Sequence, residues 1–188
     1  MTAPQTDERA RRTVGQTIIR VVLTIVVLLI LVMWIYAFFF ASKKAAYRVD
    51  DAAWRARAAE LCSKYTQERL KLVDTSGGYI ENPTTEQMIE RADVVDRATD
   101  ILERQLADVV SVQPSSVRDR DLVAKYEGYW NMVLADRRAY TATLRDLRLE
   151  PYGETKVDGG PVSNLLTDFT TVNQMQSCAP PGELGGDV

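Results

Sequence analysis

Residues 21–41 read VVLTIVVLLILVMWIYAFFFA, and no charged side chain occurs between Arg20 and Lys43. A helix rises about 1.5 Å per residue, so about 20 apolar residues span the hydrocarbon core of a bilayer, which is about 30 Å thick. The run is also longer than the apolar core of a cleavable signal peptide, which has about 7–15 residues. The stretch therefore predicts a single membrane-crossing helix over residues 16–41, retained as a signal anchor.

The segment before the anchor, residues 1–15, is polar and has no apolar periodicity, which predicts a disordered tail. Charge alone leaves the orientation open, because arginines precede the anchor while lysines and arginines also follow it closely. No convincing small-residue cleavage site follows the apolar run, and Trp34 and Tyr36 near its downstream end suit a membrane interface. We expect the tail to be cytoplasmic and the chain after the anchor to be extracytoplasmic, in a protein of the cell membrane.

The two cysteines, Cys62 and Cys178, are far apart and fit no metal-ligand spacing. In an exported domain such a pair most simply forms an intramolecular disulfide. Two buried free thiols and an intermolecular bridge are the alternatives. If Cys62 lies on the first outer helix and Cys178 on the last, a count of the helical rise places both sulfurs at similar heights. The disulfide agrees with an extracytoplasmic domain.

A helical pattern opens the outer domain. Its apolar positions are Trp54, Ala58, Leu61, Tyr65 and Leu72. Their spacing predicts an amphipathic helix, which Gly77 and Gly78 end. Between Arg12 and Asp74 there is no proline and only one glycine, Gly15, so the anchor can continue into this helix as one rod.

The second outer helix has the most regular apolar stripe of the chain. Pro83 suits a first helical turn, and Thr84 with Gln87 predicts a capping box. The stripe consists of Met88, Ala92, Val95, Thr99, Leu102, Leu106 and Val109. Its alternating steps of four and three predict a helix that packs on other helices along its length and stops before Gln113-Pro114.

Two further helices complete the domain. The third follows a serine cap at Ser115 or Ser116 and ends at Pro151, and the fourth opens at Pro161. The apolar stripe of the third helix is Leu122, Tyr126, Tyr129, Val133, Tyr140, Leu144 and Leu147, flanked by Trp130. That of the fourth is Val162, Leu165, Leu166, Phe169 and Val172. We find no strand pattern.

These patterns predict an all-α protein in which one N-terminal transmembrane helix precedes an antiparallel four-helix bundle over residues 42–178. Residues 179–188 are rich in proline and glycine and predict a disordered tail. The second outer helix is long enough to return toward the membrane, so we expect the Val112–Ser116 turn to lie close to the lipid surface.

Several chemistries are excluded by composition. The chain has no histidine, which removes serine–histidine and cysteine–histidine catalysis, histidine-ligated zinc or haem, and the di-iron bundle. The chain carries a net charge of −3 although its first 41 residues are net positive, so the outer domain is acidic and a poor binder of nucleic acid. No phosphate loop is present. We therefore expect no catalytic residue, cofactor or metal.

Two surfaces of the predicted helices have alternative interpretations. The acidic residues of the second helix could bind calcium. They alternate with arginines, however, as in the pairs Asp93–Arg97 and Asp100–Arg104, which predicts an ion-paired face instead, and arginines of the third helix are expected to pair with some of these acids. The third helix has an aromatic face. It consists of Tyr126, Tyr129, Trp130 and Tyr140. Such a face either packs in the core or lines a groove for a lipid, a small molecule or a partner helix.

The chain has a short arginine-bearing tail, one anchor and a helical domain bracketed by Cys62 in AAELCSKY and Cys178 in NQMQSCAPP. This order resembles single-pass envelope proteins of actinobacteria, and the resemblance implies an envelope location and a disulfide but no activity. We expect a non-enzymatic, membrane-anchored accessory, scaffold or assembly subunit of an envelope protein complex. The alternative is an extracytoplasmic module that binds a lipid or small molecule with the aromatic face.

Overall fold

A computed structural model describes residues 6–40, 45–72 and 82–182, with side chains from residue 18 onward except at residue 40. The chain divides into two compact units, residues 1–44 and 45–188. The glycines predicted to end the first outer helix, Gly77 and Gly78, lie outside the described residues. So do the first five residues and the last six, which belong to the two tails that the sequence predicts as disordered.

The first unit is a single apolar helix. Helix α1 spans Thr6–Ile35 and continues as a π-helix over Tyr36–Phe40. It therefore begins well before residue 16, the predicted start. From Ile18 to Phe39 it is long and apolar enough to cross a membrane, and its side chains there are exposed. Leaving so much apolar surface in water is unfavourable, at roughly 25 cal/mol per Å².

The anchor and the first outer helix, which the sequence allows to form one rod, are separate helices, because the chain from residue 45 to residue 51 is not helical. Helix α2 begins only at Ala52 and runs to Leu70. Asp51 is its N-cap, and the Asp51 carboxylate accepts a hydrogen bond of 3.0 Å from the backbone N–H of Trp54. An aspartate at this position satisfies a donor that a continuous helix would bond to its own backbone, and so favours a new helix start.

The predicted starts of the next two helices are confirmed. Helix α3 spans Thr85–Val110 and begins with the Thr84–Gln87 capping box. Helix α4 spans Val117–Arg145 and is capped by the Ser116 hydroxyl, which accepts from the backbone N–H of Asp119. Helix α4 ends before Leu147, which has φ 57° and is 48% exposed, so Leu147 does not extend the buried stripe as predicted.

The segment after α4 contains a short hairpin that the sequence analysis missed. Strand β1, Lys156–Val157, pairs antiparallel with strand β2, Gly160–Pro161. The turn residues Asp158 and Gly159 have φ values of 52° and 86°. An Asp-Gly pair with two positive φ angles is a favoured two-residue hairpin turn. The Asp158-Gly159 dipeptide is therefore the sequence feature from which the hairpin could have been predicted.

The last helix is shorter than predicted. Helix α5 spans Val162–Val172, and Gln174 then adopts φ 58°, which ends the helix. Cys178 therefore lies in a separate 3₁₀ turn, Gln176–Cys178, rather than on the helix.

The core of the second unit lies where α2 packs on α3, α3 on α4, and α4 on α5, while the 3₁₀ turn packs on α2. The stripe of α3 is buried as predicted from Ala92 to Val109, and Met88 is half-buried. Aromatic side chains fill the space between the helices. They include Trp54, Tyr126, Trp130 and Phe169.

Candidate functional site

The aromatic residues of α4 do not form one accessible face. Tyr126 and Trp130 are each only 1% exposed and belong to the core. The Tyr126 ring stacks on Phe169 of α5 with ring centroids 5.0 Å apart, and Trp130 meets Tyr126 edge to face at 6.5 Å. Tyr129 and Tyr140 are half-buried and border two different cavities. This placement favours core packing over ligand binding for Tyr126 and Trp130, here called the inner pair.

The inner pair carries two buried polar atoms. The Tyr126 hydroxyl and the Trp130 indole N–H have no hydrogen-bond partner of acceptable geometry in the part of the chain that the structure describes. Burial raises the pKa of Tyr126, so its phenol is neutral at physiological pH. The two groups are therefore uncharged components of the core.

The cavity beside Tyr129 is small and apolar. Its volume is about 20 Å³, which is close to what one water molecule needs and far below the roughly 300 Å³ of the smaller ligand sites. It is lined by Tyr47, Leu122, Lys125, Tyr129, Leu165, Asp168 and Phe169. A lipid or small-molecule ligand does not fit this cavity as it stands.

The groove beside Tyr140 is larger, about 230 Å³, and open to solvent. Its polar groups already have partners within the protein. The Tyr140 hydroxyl accepts from Arg91 Nε at 3.0 Å. The Asp136 carboxylate accepts from the backbone N–H and the hydroxyl of Thr155 at 2.7 and 2.8 Å. Burial, with the charges of Glu154 and Asp136, raises the pKa of nearby Tyr152 to about 12.

The acidic face of α3 is paired with arginines of α4, as the sequence analysis expected. Arg138 contacts Asp96 at 2.9 Å, Asp100 at 2.5 Å and Glu103 at 3.0 Å. Arg145 contacts Asp93 at 2.8 Å and also Asp96. These partners lie on a different helix, so the face joins two elements.

Asp96 is the centre of this network. Burial alone would raise its pKa, but hydrogen bonds from Arg138, Arg145 and Thr141 outweigh that effect and lower the pKa of Asp96. The predicted pair of Asp100 with Arg104 is replaced, since Arg104 instead contacts Glu68 of α2 at 2.6 Å. No group of three or more metal-ligating side chains occurs among residues 6–40, 45–72 and 82–182.

The Cys62–Cys178 disulfide predicted from the sequence is present. The two sulfurs are 2.04 Å apart, the Cα atoms are 5.0 Å apart, and both cysteines are fully buried. Hydrogen bonds flank the bridge on both sides: the Ser177 hydroxyl donates to the Ala59 carbonyl at 2.9 Å, and the Thr66 hydroxyl donates to the Ser177 carbonyl at 3.3 Å. The 3₁₀ turn is thereby fastened to α2.

A buried polar site that the sequence analysis did not find holds residues 45–51, here called the entry segment. The Asp119 carboxylate, 2% exposed, accepts from the backbone N–H groups of Asp50 and Asp51, both at 3.1 Å. The Asn173 side chain, fully buried, accepts from the N–H of Val49 at 2.8 Å and donates to the carbonyl of Tyr47 at 2.9 Å. The entry segment is thus bonded to α4 and to the end of α5.

Arg118 adds further bonds to the entry segment. Its guanidinium donates to the carbonyls of Arg48 at 3.1 Å and Ala46 at 3.3 Å, and contacts the carboxylate of Asp50 at 3.5 Å. From sequence, Asp119 looks like a first-turn acid and Asn173 like a helix-end residue. Neither signal indicates a partner so distant along the chain.

Comparisons of the chain with protein-family models, with curated protein sequences and with solved structures found no match. Its function is therefore inferred from the chemistry and placement of this chain's own residues.

Proposed function

We propose that this chain is a membrane-anchored, non-enzymatic helical module that serves as an accessory, scaffold or assembly subunit of a cell-envelope protein complex. The apolar helix over Ile18–Phe39 is its anchor, with the N-terminus in the cytoplasm and the second unit outside. The observation that carries the proposal is the combination of this helix with a domain joined across its length by the Cys62–Cys178 disulfide. On the resemblance described above, the envelope is actinobacterial.

The disulfide supports the extracytoplasmic side. Structural disulfides persist in oxidising compartments and are rare in the cytosol. A bridge between the two cysteines of the chain, buried within one domain, is typical of a structural rather than a reactive pair.

The contacts between helices support an antiparallel bundle for the outer domain. Between α2 and α3, Arg57 contacts Asp108 near the start of α2, and Glu68 contacts Arg104 near its end. The partner numbers fall along α3 as the residue numbers rise along α2. The same reversal holds between α3 and α4, where Asp93 contacts Arg145 and Glu103 contacts Arg138. Neighbouring helices that run in opposite directions have this order of contacts.

Internal pairing of the charged groups supports a scaffold rather than an enzyme. The carboxylates of the α3 face are bonded to arginines, and Asp119 is bonded to backbone N–H groups. A general acid or base needs a perturbed group aimed at a cleft that can hold substrate. Asp96, at the centre of the α3–α4 network, instead has its pKa lowered by hydrogen bonds from Arg138, Arg145 and Thr141.

The partner is tested by crosslinking the tagged full-length protein in native membranes, followed by purification in detergent and mass spectrometry. The expected result is one defined envelope protein that is enriched relative to an unrelated single-pass protein with the same tag. A chain that isolates alone under both gentle and crosslinked conditions would contradict the proposal.

The orientation is tested with two single-cysteine additions and a membrane-impermeant maleimide. Leu149→Cys, at a position 53% exposed in the second unit, should be labelled in intact cells. Thr2→Cys, in the N-terminal tail, should be labelled only after permeabilisation. The native cysteines are buried and bridged, so they should not react in either case. The reverse pattern would place the domain on the cytoplasmic side.

A further inference from the structure

We infer that the groove between α4 and the chain that follows it binds an arginine side chain of the envelope partner. The groove lies wholly within the second unit. The inference rests on the proposed function, because it names the surface and the chemistry by which an accessory subunit would hold its partner. It commits to one occupant, an arginine that projects from the surface of another protein.

The groove exists because the chain runs back along α4. The helix ends at Arg145, and Leu147 has a positive φ of 57°, which stops a helix. The ring of Tyr152 then meets the ring of Tyr140, and Thr155 donates to Asp136. The partner numbers fall along α4 as the residue numbers rise. The two segments therefore run side by side in opposite directions, with the groove between them. It is lined by Asp136, Ala139, Tyr140, Thr143, Glu150, Pro151 and Gly153.

The groove has a size that suits one side chain. Its volume of about 230 Å³ is below the roughly 300 Å³ of the smaller small-molecule sites. A Cβ atom added at Gly153 would meet no other atom within 4 Å among the described residues, so this wall leaves free space. Because the groove is open to solvent, a side chain can enter it from the surface of a partner.

The ionisable groups that line the groove favour a cation. The two carboxylates are those of Asp136 and Glu150, and no lysine or arginine is among the described residues of the lining. Burial, together with the charges of Glu154 and Asp136, raises the pKa of nearby Tyr152 to about 12. Negative charges have this effect on a phenol because they disfavour its anion. The same charges attract a guanidinium.

The carboxylates of the groove retain acceptor positions for a partner. Each oxygen of Asp136 accepts one bond from Thr155, whereas a carboxylate has about four acceptor positions. Glu150 contacts Arg148 at 2.7 Å, but both side chains are about half exposed, and such surface pairs contribute little. A guanidinium can therefore bond to these carboxylates while the Thr155 bonds still hold the returning chain on α4.

The aromatic wall of the groove favours arginine over lysine. Tyr140 packs edge to face on Tyr152 with ring centroids 5.8 Å apart, and the Tyr140 hydroxyl accepts from Arg91 Nε at 3.0 Å. These contacts fix the Tyr140 ring. A guanidinium stacks on aromatic rings and bonds to carboxylates with its planar fork, whereas the ammonium of lysine is a more strongly hydrated point charge.

The test titrates the full-length protein in a neutral detergent with the peptide acetyl-Ala-Arg-Ala-amide. Binding is followed by NMR at the backbone amide of Gly153. The matched ligands contain citrulline, which keeps the shape of arginine without its charge, or lysine. We expect the arginine peptide to bind in the millimolar range, with a Kd about fivefold lower than that of either matched peptide. Equal affinity for the arginine and citrulline peptides would overturn the inference.

Two variants locate the binding. Glu150→Gln should weaken binding of the arginine peptide about fivefold. Asp121→Asn is the matched control, because it removes the same charge from an exposed acid near the other end of α4 and should leave binding unchanged. Tyr140→Leu should remove the preference for arginine over lysine. Thermal unfolding shows whether each variant is folded. An equal effect of Glu150→Gln and Asp121→Asn would mean that the peptide responds only to net charge, and the inference would be wrong.

Peptide binding and the crosslinking experiment fail independently, because the peptide titration needs no partner. If crosslinking finds a defined partner but the groove shows no preference for arginine, the inference is wrong and the proposed function stands. If the groove prefers arginine but the chain isolates alone, the accessory role fails, and the assignment of the groove to an envelope partner fails with it.

Discussion

Single buried polar residues determine how the chain enters its folded domain. Asn173 is fully buried and makes three hydrogen bonds, to Val49, Tyr47 and its own helix at Phe169. Asp119 is nearly as buried and caps two further N–H groups of the entry segment. Buried backbone groups need partners because an unpaired one costs about 1–3 kcal/mol, and here distant side chains provide them.

Asn173→Ala should destabilise the domain by about 2–4 kcal/mol, because it leaves the Val49 N–H and the Tyr47 carbonyl without their partner in a buried place. Urea unfolding of the full chain in detergent, followed by tryptophan fluorescence, measures the change. Asn131→Ala is the matched control, since Asn131 lies exposed in the middle of α4. Equal stability of the two variants would show that the Asn173 bonds contribute nothing to holding the entry segment.

At the level of helices and turns, features set by neighbours in sequence could be predicted, and features set by distant partners could not. The capping box of α3 joins Thr84 to Gln87, three residues away, so its pattern is visible in the sequence. The break before α2 depends on Asp119 and Asn173, which are 69 and 124 residues from the N–H groups they accept from. Absence of proline and glycine allows a helix but does not require one.

The aromatic face of α4 illustrates the same limit. Helical spacing places Tyr126 and Trp130 near one another, but it does not say what covers them. Phe169 of α5 stacks on Tyr126, and that contact turns a candidate binding face into core. The disulfide was easier to predict, because the chain has only two cysteines, although the residue Gln174 that ends α5 moved Cys178 off the predicted helix.

The ion pairs between α3 and α4 should make this interface sensitive to acid. The pKa of Asp96 is lowered in the folded state, so its contribution to stability is present above the ordinary aspartate pKa of about 3.9 and is lost as the pH falls through the lower folded value. We therefore expect Asp96→Asn to be less stable than the parent at pH 7 and to lose less stability between pH 7 and about pH 3.

Denaturant unfolding at several pH values measures both effects. Asp158→Asn is the control, because Asp158 is exposed in the hairpin turn and asparagine tolerates its positive φ. That variant should follow the parent at every pH. An Asp96→Asn curve parallel to that of the parent would mean that the α3–α4 ion pairs do not govern the acid response.

For the whole molecule, the disulfide connects α2 to the 3₁₀ turn that carries Cys178. The 3₁₀ turn that carries Cys178 follows Asn173 closely, so the bridge to α2 and the bonds to the entry segment hold the same C-terminal segment. Loss of the bridge should therefore loosen both the 3₁₀ turn and the entry segment, although the entry segment contains no cysteine.

The double variant Cys62→Ser with Cys178→Ser should lower the free energy of unfolding by about 2–5 kcal/mol, since the bridge closes a long loop and so restricts the unfolded chain. The separation of 116 residues places it at the upper end of the chain-entropy scale. Hydrogen exchange should also speed up at the Val49 amide, because a looser C-terminal segment holds Asn173 less firmly. Ser63→Ala, at an exposed neighbour of Cys62, is the control and should change neither quantity. Faster exchange confined to residues around Cys178, with the Val49 amide unaffected, would show that the bridge and the entry segment are independent.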